Sequence, residues 1–176
     1  MPSPELAARL ARVRLLVFDV DGVLTDGTIT VSGERRWSVT DGFGFLLARR
    51  GGLKTALCSG RDDPEIAARA ERLKIDGLRL GRMDKGAGVA ELAVELGVTP
   101  AETLFVGDDL FDLPGLAAAG VAAAPADARP ELRRRADWIL SAPGGRGAAR
   151  EAIEAVLRAR GDWERVMAEF AGGGDA

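Results

Sequence analysis

The chain has 176 residues, a net charge of −3, 47% hydrophobic residues, one cysteine and no histidine. This length and composition are typical of one globular domain over residues 1–176 and exclude a disordered chain. The missing histidines exclude a Ser-His-Asp triad, a Cys-His dyad and a His-ligated zinc, so acid–base chemistry near neutral pH has to rely on carboxylates or other groups.

Charge and hydropathy restrict the partners. A pI near 5.2 does not favour nucleic-acid binding. The apolar runs are far shorter than the roughly 20 residues that span a bilayer, and the first residues lack the pattern of a signal peptide. A single cysteine fits a reducing compartment. We therefore expect a cytoplasmic protein that binds neither nucleic acid nor a membrane.

Apolar runs and helical patterns alternate along the chain after a first short helix at residues 6–13. The runs predict buried strands at residues 15–18, 54–58, 103–106, 121–124 and 138–140. Helical patterns lie between them at residues 43–50, 64–73, 85–96 and 111–119. This alternation predicts an α/β domain with a mainly parallel sheet flanked by helices, in which ligands bind beyond the carboxyl ends of the strands.

Two segments depart from this alternation. Within residues 27–40, polar and apolar residues alternate on both sides of Gly33, over 28–31 and 36–39, which predicts a β-hairpin insertion with its turn at Gly33. The pattern does not distinguish an ordinary surface hairpin from one that takes part in assembly. Residues 171–176 include three successive glycines and predict a mobile tail.

Acidic side chains follow two of the predicted strands. Asp19 and Asp21 come directly after the first strand, two residues apart, and Gly22 lets the backbone turn away behind them. Asp108 follows the strand at 103–106. Either group alone could consist of helix-capping aspartates, but two such groups after buried strands favour a shared site. Because grouped carboxylates repel each other, we expect an oxygen-bound hard cation or a shared proton between them.

Two weaker signals lie elsewhere. Ser59, Gly60 and Arg61 place a hydroxyl, a flexible glycine and a guanidinium at the end of the strand at 54–58, although Ser-Gly also marks ordinary turns. Lys85, one of three lysines, begins a helical pattern and would on its own be interpreted as a solvated surface charge.

Taken together and in this order, these motifs resemble those of the haloacid dehalogenase superfamily of phosphotransferases. The resemblance extends over nearly the whole chain. It rests on Asp19-Val20-Asp21-Gly22-Val23-Leu24-Thr25, Ser59, Lys85 and Gly107-Asp108-Asp109. It implies the Rossmann-like fold of that superfamily and Mg²⁺-dependent phosphate transfer through an aspartyl-phosphate.

The resemblance also implies roles for individual residues. Asp19 would be the nucleophile and Asp21 the general acid and base, while Ser59 would bind the transferring phosphoryl group and Lys85 would neutralise its charge. Asp108 would complete the Mg²⁺ site with the Asp19 carboxylate and the Asp21 backbone carbonyl. The second-choice residues near the metal are Asp109 and Asp112.

Within the superfamily the chain resembles the small phosphatases without a cap domain that act on 3-deoxy-D-manno-octulosonate 8-phosphate, a precursor of lipopolysaccharide. The segment between Thr25 and Val39 has room for a hairpin but not for a cap domain. The resemblance implies a homotetramer in which a neighbouring subunit helps to close the active site over a phosphorylated sugar acid.

Substrate contacts follow from the same resemblance. They are implied for Thr25, Gly60, Arg61, Arg72 and Arg146. Arg61 matches the octulosonate phosphatases and suits a sugar carboxylate. Asp62 replaces a lysine that is common in that group, and Arg72 matches a cation of relatives that act on nine-carbon sialic-acid-type 9-phosphates. Arg146 could instead contact a neighbouring subunit or order its loop.

Two other functions stay open at this point. One is a phosphatase for the nine-carbon sugar 9-phosphates. The other, less favoured because every motif carboxylate is present, is a non-catalytic interaction module with the same fold.

Overall fold

Six parallel strands form a central sheet in the computed structural model, which describes residues 3–171. The strands are β1 (Leu15–Phe18), β2 (Lys54–Cys58), β3 (Gly77–Arg79), β4 (Thr103–Val106), β5 (Val121–Ala124) and β6 (Trp138–Ile139). Their order across the sheet is β3-β2-β1-β4-β5-β6, and each neighbouring pair is parallel. The predicted α/β fold with a mainly parallel sheet is confirmed.

Helices cover both faces of this sheet. They are α1 (Pro4–Leu10), α2 (Val39–Arg50), α3 (Pro64–Leu73), α4 (Lys85–Glu95), α5 (Leu113–Ala118), α6 (Pro130–Arg133), α7 (Ala148–Arg160) and α8 (Trp163–Ala171). Side chains of β1 point alternately to the two faces, so Leu16 and Phe18 pack with α2 and α7 while Leu15 and Val17 pack with α4 and α5. Burial on both faces explains why the central strands are continuous apolar runs.

The chain reverses its direction across the sheet at β1. It first builds outward through β2 and β3, then returns to place β4 on the other side of β1. In open parallel sheets the crevice beyond the carboxyl ends of such neighbouring strands is where ligands bind. Asp19 follows β1 and Asp108 lies two residues after β4, so this topology brings the two acidic motifs together.

The segment predicted as a hairpin is less regular than expected. A turn at Gly33, which has a φ of 90°, is closed by a single antiparallel bridge between Ile29 and Arg35. The second predicted strand, at residues 36–39, does not form, because the side chain of Ser38 caps α2 by accepting a hydrogen bond from the Asp41 amide, and α2 begins at Val39. The prediction was therefore right about the turn and wrong about the paired strands.

Other boundaries also differ. The first helix begins earlier than predicted, at Pro4 behind an Ser3 cap, and ends at Leu10. The helix predicted at 111–119 starts as a 3₁₀ turn at Leu110–Asp112 and continues as α5. β3, α6, α7 and α8 were not predicted. Of the predicted tail at 171–176, Ala171 ends α8 and residues 172–176 lie outside the described residues. Within 3–171 no helix has the length and apolarity needed to cross a membrane.

Candidate active site

A cavity of about 480 Å³ opens beyond the carboxyl ends of β1, β2 and β4. Seven of the residues predicted for the site line it, namely Asp19, Asp21, Ser59, Gly60, Arg61, Lys85 and Asp108. The floor is polar and charged, whereas Met83 and Phe111 add apolar side chains that are 57% and 65% exposed. The cavity therefore combines a charged floor with a partly apolar rim.

Asp19 and Lys85 form an ion pair on the floor of this cavity. The Lys85 side chain is only 3% exposed, and its ammonium donates to the Asp19 carboxylate and, over 2.5 Å, to the carbonyl of Cys58. Burial lowers the pKa of Lys85, but attraction to Asp19 and Asp112 outweighs burial, so the net pKa lies above its ordinary value. Lys85 is thus a fixed positive charge at neutral pH rather than the solvated surface charge that the sequence alone suggested.

Three carboxylates converge beside this pair. Oxygen atoms of Asp19, Asp108 and Asp112 all lie within 4.8 Å of one another. Burial, followed by repulsion from Asp112, raises the pKa of Asp19 to about 7 although Lys85 opposes the shift. Burial, followed by repulsion from Asp19 and Asp112, raises the pKa of Asp108 to about 8. The cluster has more carboxylates than the single Lys85 can neutralise when they are ionised, and a bound cation would favour their ionised form.

Asp112, a second choice from the sequence, lies at the centre of this cluster. Its Oδ2 atom accepts hydrogen bonds from the backbone amides of Asp108, at 2.9 Å, and Asp109, at 3.4 Å. Its Oδ1 atom is buried without a hydrogen-bond partner, 3.4 Å from the Lys85 ammonium. Asp109 caps the 3₁₀ turn and its carboxylate is not part of the three-carboxylate cluster. Asp109 and Asp112 together form the capping box of this turn, which explains their spacing.

The raised pKa values predict how the stability of the metal-free protein depends on pH. Between about pH 4 and pH 8 the folded state holds protons on Asp19 and Asp108 that the unfolded state has released. We therefore expect the free energy of unfolding to fall as pH rises through this window, by up to about 1.4 kcal/mol per pH unit for each retained proton. Urea titrations in EDTA from pH 5 to pH 8.5 measure this slope.

Carboxylates with lowered pKa values do not mask this fall in the free energy of unfolding between pH 5 and pH 8. Hydrogen bonds from arginine side chains hold the pKa values of Asp63 and Asp162 below the ordinary value, so their contributions are lost only at more acid pH. Asp108→Asn removes one titrating group and should flatten the slope. A stability that stays constant or increases between pH 5 and pH 8 would contradict the prediction.

Asp21 lies at one side of the cavity between two arginines. The Arg35 guanidinium donates from Nε to Asp21 Oδ1 over 2.6 Å, and Arg61 Nε lies 3.3 Å from Asp21 Oδ2. The carboxylate of Asp21 therefore does not join the three-carboxylate cluster. The sequence did not indicate Arg35, because it is one of many arginines and lies next to the turn of the segment predicted to be a β-hairpin.

Ser59 and Gly60 form the edge of the cavity after β2. The Ser59 side chain accepts a hydrogen bond from the Arg61 amide over 3.1 Å, and Ser59 is only 2% exposed. This bond fixes the turn that carries the Arg61 side chain, which is 63% exposed and reaches across the opening. The three residues thus lie where the sequence placed them, at the end of the strand.

Three predicted substrate contacts lie elsewhere in this chain. Thr25 is fully buried, does not line the cavity, and holds the loop after Asp21 by accepting a hydrogen bond from the Gly27 amide. Arg72 lines a separate depression beside Trp37 and Glu65. Arg146 lines another, beside Asp26. The cavity of this chain gives no support to a role of Thr25, Arg72 or Arg146 toward substrate, and their contacts stay predictions.

A glycine contact supports the loop that carries Asp21. Gly22 has a φ of 91°, and a Cβ atom there would overlap the Asp108 carboxylate. Gly144 packs so closely on this loop that a Cβ atom would overlap the carbonyl oxygen of Gly22. The Gly145 amide also donates to the carbonyl of Val23 over 2.9 Å. The segment before α7 therefore fixes the backbone next to Asp19 and Asp21.

Comparisons with known proteins show the family to which this chain belongs. Residues 36–120 match the model of the haloacid dehalogenase-like hydrolase family. The chain is 37% identical over 171 residues to the 3-deoxy-D-manno-octulosonate 8-phosphate phosphatase KdsC of Salmonella typhimurium, covering 95% of this chain and 91% of that protein. The chain belongs to the haloacid dehalogenase-like hydrolase family. The fold and the family that the motifs implied are thereby confirmed.

Solved structures of this family extend the comparison. The cobalt-bound form of the octulosonate 8-phosphate phosphatase of Haemophilus influenzae superposes with a TM-score of 0.85 at 36% identity, covering 88% of this chain and 93% of that one. The corresponding phosphatase of Moraxella catarrhalis, in complex with a magnesium ion, a phosphate ion and KDO, has a TM-score of 0.89 at 29% identity. It covers 94% of this chain and 98% of that one.

Proposed function

We propose that this family member is a Mg²⁺-dependent phosphomonoesterase that hydrolyses 3-deoxy-D-manno-octulosonate 8-phosphate to the free sugar acid and phosphate. The observation that carries the proposal is the buried Asp19–Lys85 pair on the floor of a cavity that Asp21 also lines. The names of the relatives from Salmonella typhimurium and Haemophilus influenzae support the substrate.

The chemistry assigned to the chain needs two displacements at phosphorus. A carboxylate oxygen of Asp19 attacks phosphorus, the P–O bond to the sugar breaks, and the leaving oxygen takes a proton from Asp21. A water molecule then gives its proton to Asp21 while its oxygen attacks the aspartyl-phosphate, which releases phosphate and restores the Asp19 carboxylate. Lys85 stabilises the negative charge that both steps concentrate beside Asp19. This route needs no histidine.

The buried carboxylates fit a hard divalent cation. Asp19, Asp108 and Asp112 would supply oxygen ligands, and the Oδ1 atom of Asp112, which has no hydrogen-bond partner and lies 3.4 Å from the Lys85 ammonium, would be one of them. The backbone carbonyl of Asp21 remains a further predicted ligand. Bound there, Mg²⁺ would supply positive charge that reduces repulsion between an anionic nucleophile and an anionic phosphate. The magnesium in the Moraxella catarrhalis structure supports Mg²⁺ as the metal.

Arg61 is the residue we assign to the carboxylate of the sugar acid. Its guanidinium is exposed at the cavity opening and only loosely paired, at 3.3 Å from Asp21. A guanidinium binds a carboxylate through two parallel hydrogen bonds, which selects for an acidic sugar. Ser59 is assigned to the phosphoryl group, because its buried hydroxyl lies at the edge of the same cavity.

We further infer that the protein works as a cytoplasmic homotetramer. Large apolar side chains near the cavity opening and on the segment after β1 support assembly, because such exposure favours burial against another subunit. They include Val31, Val39, Leu110 and Phe111, which are 110%, 86%, 53% and 65% exposed. The free, buried thiol of Cys58 fits a reducing compartment. Light scattering of the purified protein measures the subunit number.

A substrate panel tests the proposed function. We expect Mg²⁺-dependent release of phosphate from octulosonate 8-phosphate, loss of this activity in EDTA, and much weaker hydrolysis of a nine-carbon sialic-acid-type 9-phosphate. A preference for the 9-phosphate would replace the substrate but not the chemistry. A purified, folded protein that hydrolyses no sugar phosphate with Mg²⁺ would contradict the proposal and favour a non-catalytic module.

Gly144→Ala should impair the enzyme although the residue touches no substrate. An added methyl group must displace the carbonyl of Gly22 and with it the backbone between Asp19 and Asp21. We expect kcat/KM to fall by about 10²-fold, because misplacement of catalytic groups by about 1 Å has effects of that size. Overpacking should also lower the free energy of unfolding by about 1–3 kcal/mol.

Gly42→Ala is the matched control for that substitution. Gly42 lies within α2, where a Cβ atom would meet the flexible end of the Arg69 side chain at 3.0 Å and Leu73 at an ordinary contact distance of 3.6 Å. We expect unchanged kcat/KM and equal or higher stability, because alanine favours the helix. Equal activity of the two variants would show that the Gly144 contact does not position the site.

A further inference from the structure

Arg35 is buried in the segment between β1 and α2, beside the proposed active site. Its side chain is 0% exposed, which is unusual for an arginine unless every part of the guanidinium is paired. Nε donates to Asp21 Oδ1 over 2.6 Å, and Nη2 lies 3.3 Å from Asp21 Oδ2. The guanidinium therefore holds both oxygens of the Asp21 carboxylate in the two-pronged arrangement that fixes orientation.

The rest of the guanidinium is anchored to α3. Nη1 donates to Asp63 over 2.7 Å and to Glu65 over 3.1 Å. Asp63 is itself the N-cap of α3, accepting a hydrogen bond from the Glu65 amide over 3.0 Å. The Trp37 indole donates to the other oxygen of Glu65 over 2.8 Å. Arg35 thus connects Asp21 to a rigid helix end rather than to another loop.

The orientation of Asp21 matters because its carboxylate has to exchange protons with two different oxygen atoms in turn. Under the proposed function it protonates the sugar oxygen in the first step and takes a proton from water in the second. A carboxylate with free rotation would meet neither position reliably, whereas one held along an edge keeps its direction. The Coulomb attraction would be supplied by any nearby cation, but the fixed orientation needs the planar fork of an arginine.

We propose that Arg35 is a positioning residue that orients Asp21 for proton transfer to the leaving group and from water. This inference rests on the proposed phosphatase function and deepens it. Arg35 touches neither phosphate nor sugar in this assignment and acts only through Asp21. The segment between β1 and α2 therefore contributes to the active site of its own chain.

The dependence on the leaving group tests this role. Octulosonate 8-phosphate releases an alkoxide that needs a proton from Asp21, whereas 4-nitrophenyl phosphate releases a nitrophenolate that does not. For Arg35→Gln and Arg35→Lys with Mg²⁺, we expect kcat/KM to fall about 10²-fold on the sugar phosphate, the lower end of general acid–base effects. On 4-nitrophenyl phosphate, kcat/KM should change less than about 3-fold, because an effect confined to Asp21 leaves this first step intact.

The second step provides an independent readout. Hydrolysis of the aspartyl-phosphate needs Asp21 as a base, so it should become rate-limiting in the Arg35 variants. We expect a rapid burst of nitrophenolate followed by slow turnover, with a low kcat for the aryl phosphate. Arg36→Gln is the matched control, because Arg36 is the adjacent, exposed arginine and does not line the cavity. It should behave like the wild-type protein.

A double-mutant cycle separates positioning from general destabilisation. If Arg35 acts through Asp21, Arg35→Gln should cause no further loss on the sugar phosphate in an Asp21→Asn background. Equal losses on both substrates, or additive losses in the cycle, would overturn the inference while leaving the phosphatase function intact. Absence of hydrolysis in the wild-type protein would overturn the proposed function, and the inference with it.

Discussion

Asp19→Asn is expected to lower kcat/KM for octulosonate 8-phosphate by at least about 10⁴-fold. The amide cannot attack phosphorus, and it no longer balances the ammonium of Lys85, which the structure places against the Asp19 carboxylate. Phosphate release under Mg²⁺ saturation measures the loss. The substitution should also abolish any trapped aspartyl-phosphate, which mass spectrometry of acid-quenched protein detects.

The folded state should tolerate this substitution. Burial and Asp112 raise the pKa of Asp19 to about 7, so the charged carboxylate destabilises the metal-free fold above that pH. We expect Asp19→Asn in EDTA at pH 8 to be at least as stable as the wild-type protein in urea. Wild-type activity in a folded Asn variant would rule out Asp19 as the nucleophile.

Lys85→Met is expected to lower kcat/KM by about 10²–10³-fold, comparable with the loss of one preorganised donor in a transition-state site. The substitution removes the ammonium that contacts Asp19 and lies 3.4 Å from Asp112, and leaves the apolar length of the side chain. Because Lys85 is 3% exposed, no water replaces its charge. The loss should affect alkyl and aryl phosphates alike, unlike that of the Arg35 variants.

Lys85→Met should also lower the free energy of unfolding, by an amount that depends on pH. Without Lys85 the carboxylates of Asp19 and Asp112 face each other uncompensated, and breaking a buried pair costs about 3–5 kcal/mol. The cost should be largest at pH 8 and smaller at pH 5.5, where Asp19 takes up a proton. Lys54→Met is the matched control, because Lys54 lies at the end of β2 that is away from the cavity. Its ammonium donates to the carbonyl of Leu96. This substitution should leave kcat/KM unchanged.

The central strands could be predicted from the sequence because burial on both faces makes each of them a continuous run of apolar residues. β1, β4 and β5 are covered on both faces, so each appears as an apolar run. β3 is three residues long, and Leu78 and Arg79 are half-buried, so its existence depends on pairing with β2 rather than on local preference. The second arm of the predicted hairpin likewise does not form because of contacts with other elements, since Ser38 caps α2 and the Trp37 indole donates to Glu65 of α3.

The same distinction applies to the site. Asp19 and Asp108 were predictable because each follows a buried strand, and strand ends of a parallel sheet meet at one edge. Arg35 was not, because its importance depends on the chain folding back so that one guanidinium meets Asp21 and α3 together. Arg72, on α3, and Arg146, in the segment before α7, line depressions formed by residues distant in sequence, which no local pattern encodes.

The segment between β1 and α2 should tolerate added residues at its tip, the turn at Gly33, but not changes at its base. A side chain added at Gly33 would meet nothing within 4 Å, and Ser32 beside it is exposed, so extra residues spliced in at the tip should be accommodated. Shortening the segment would instead withdraw Arg35 from Asp21. A larger lid could therefore be grafted onto this phosphatase at its tip, provided that the graft keeps the base of the loop unchanged.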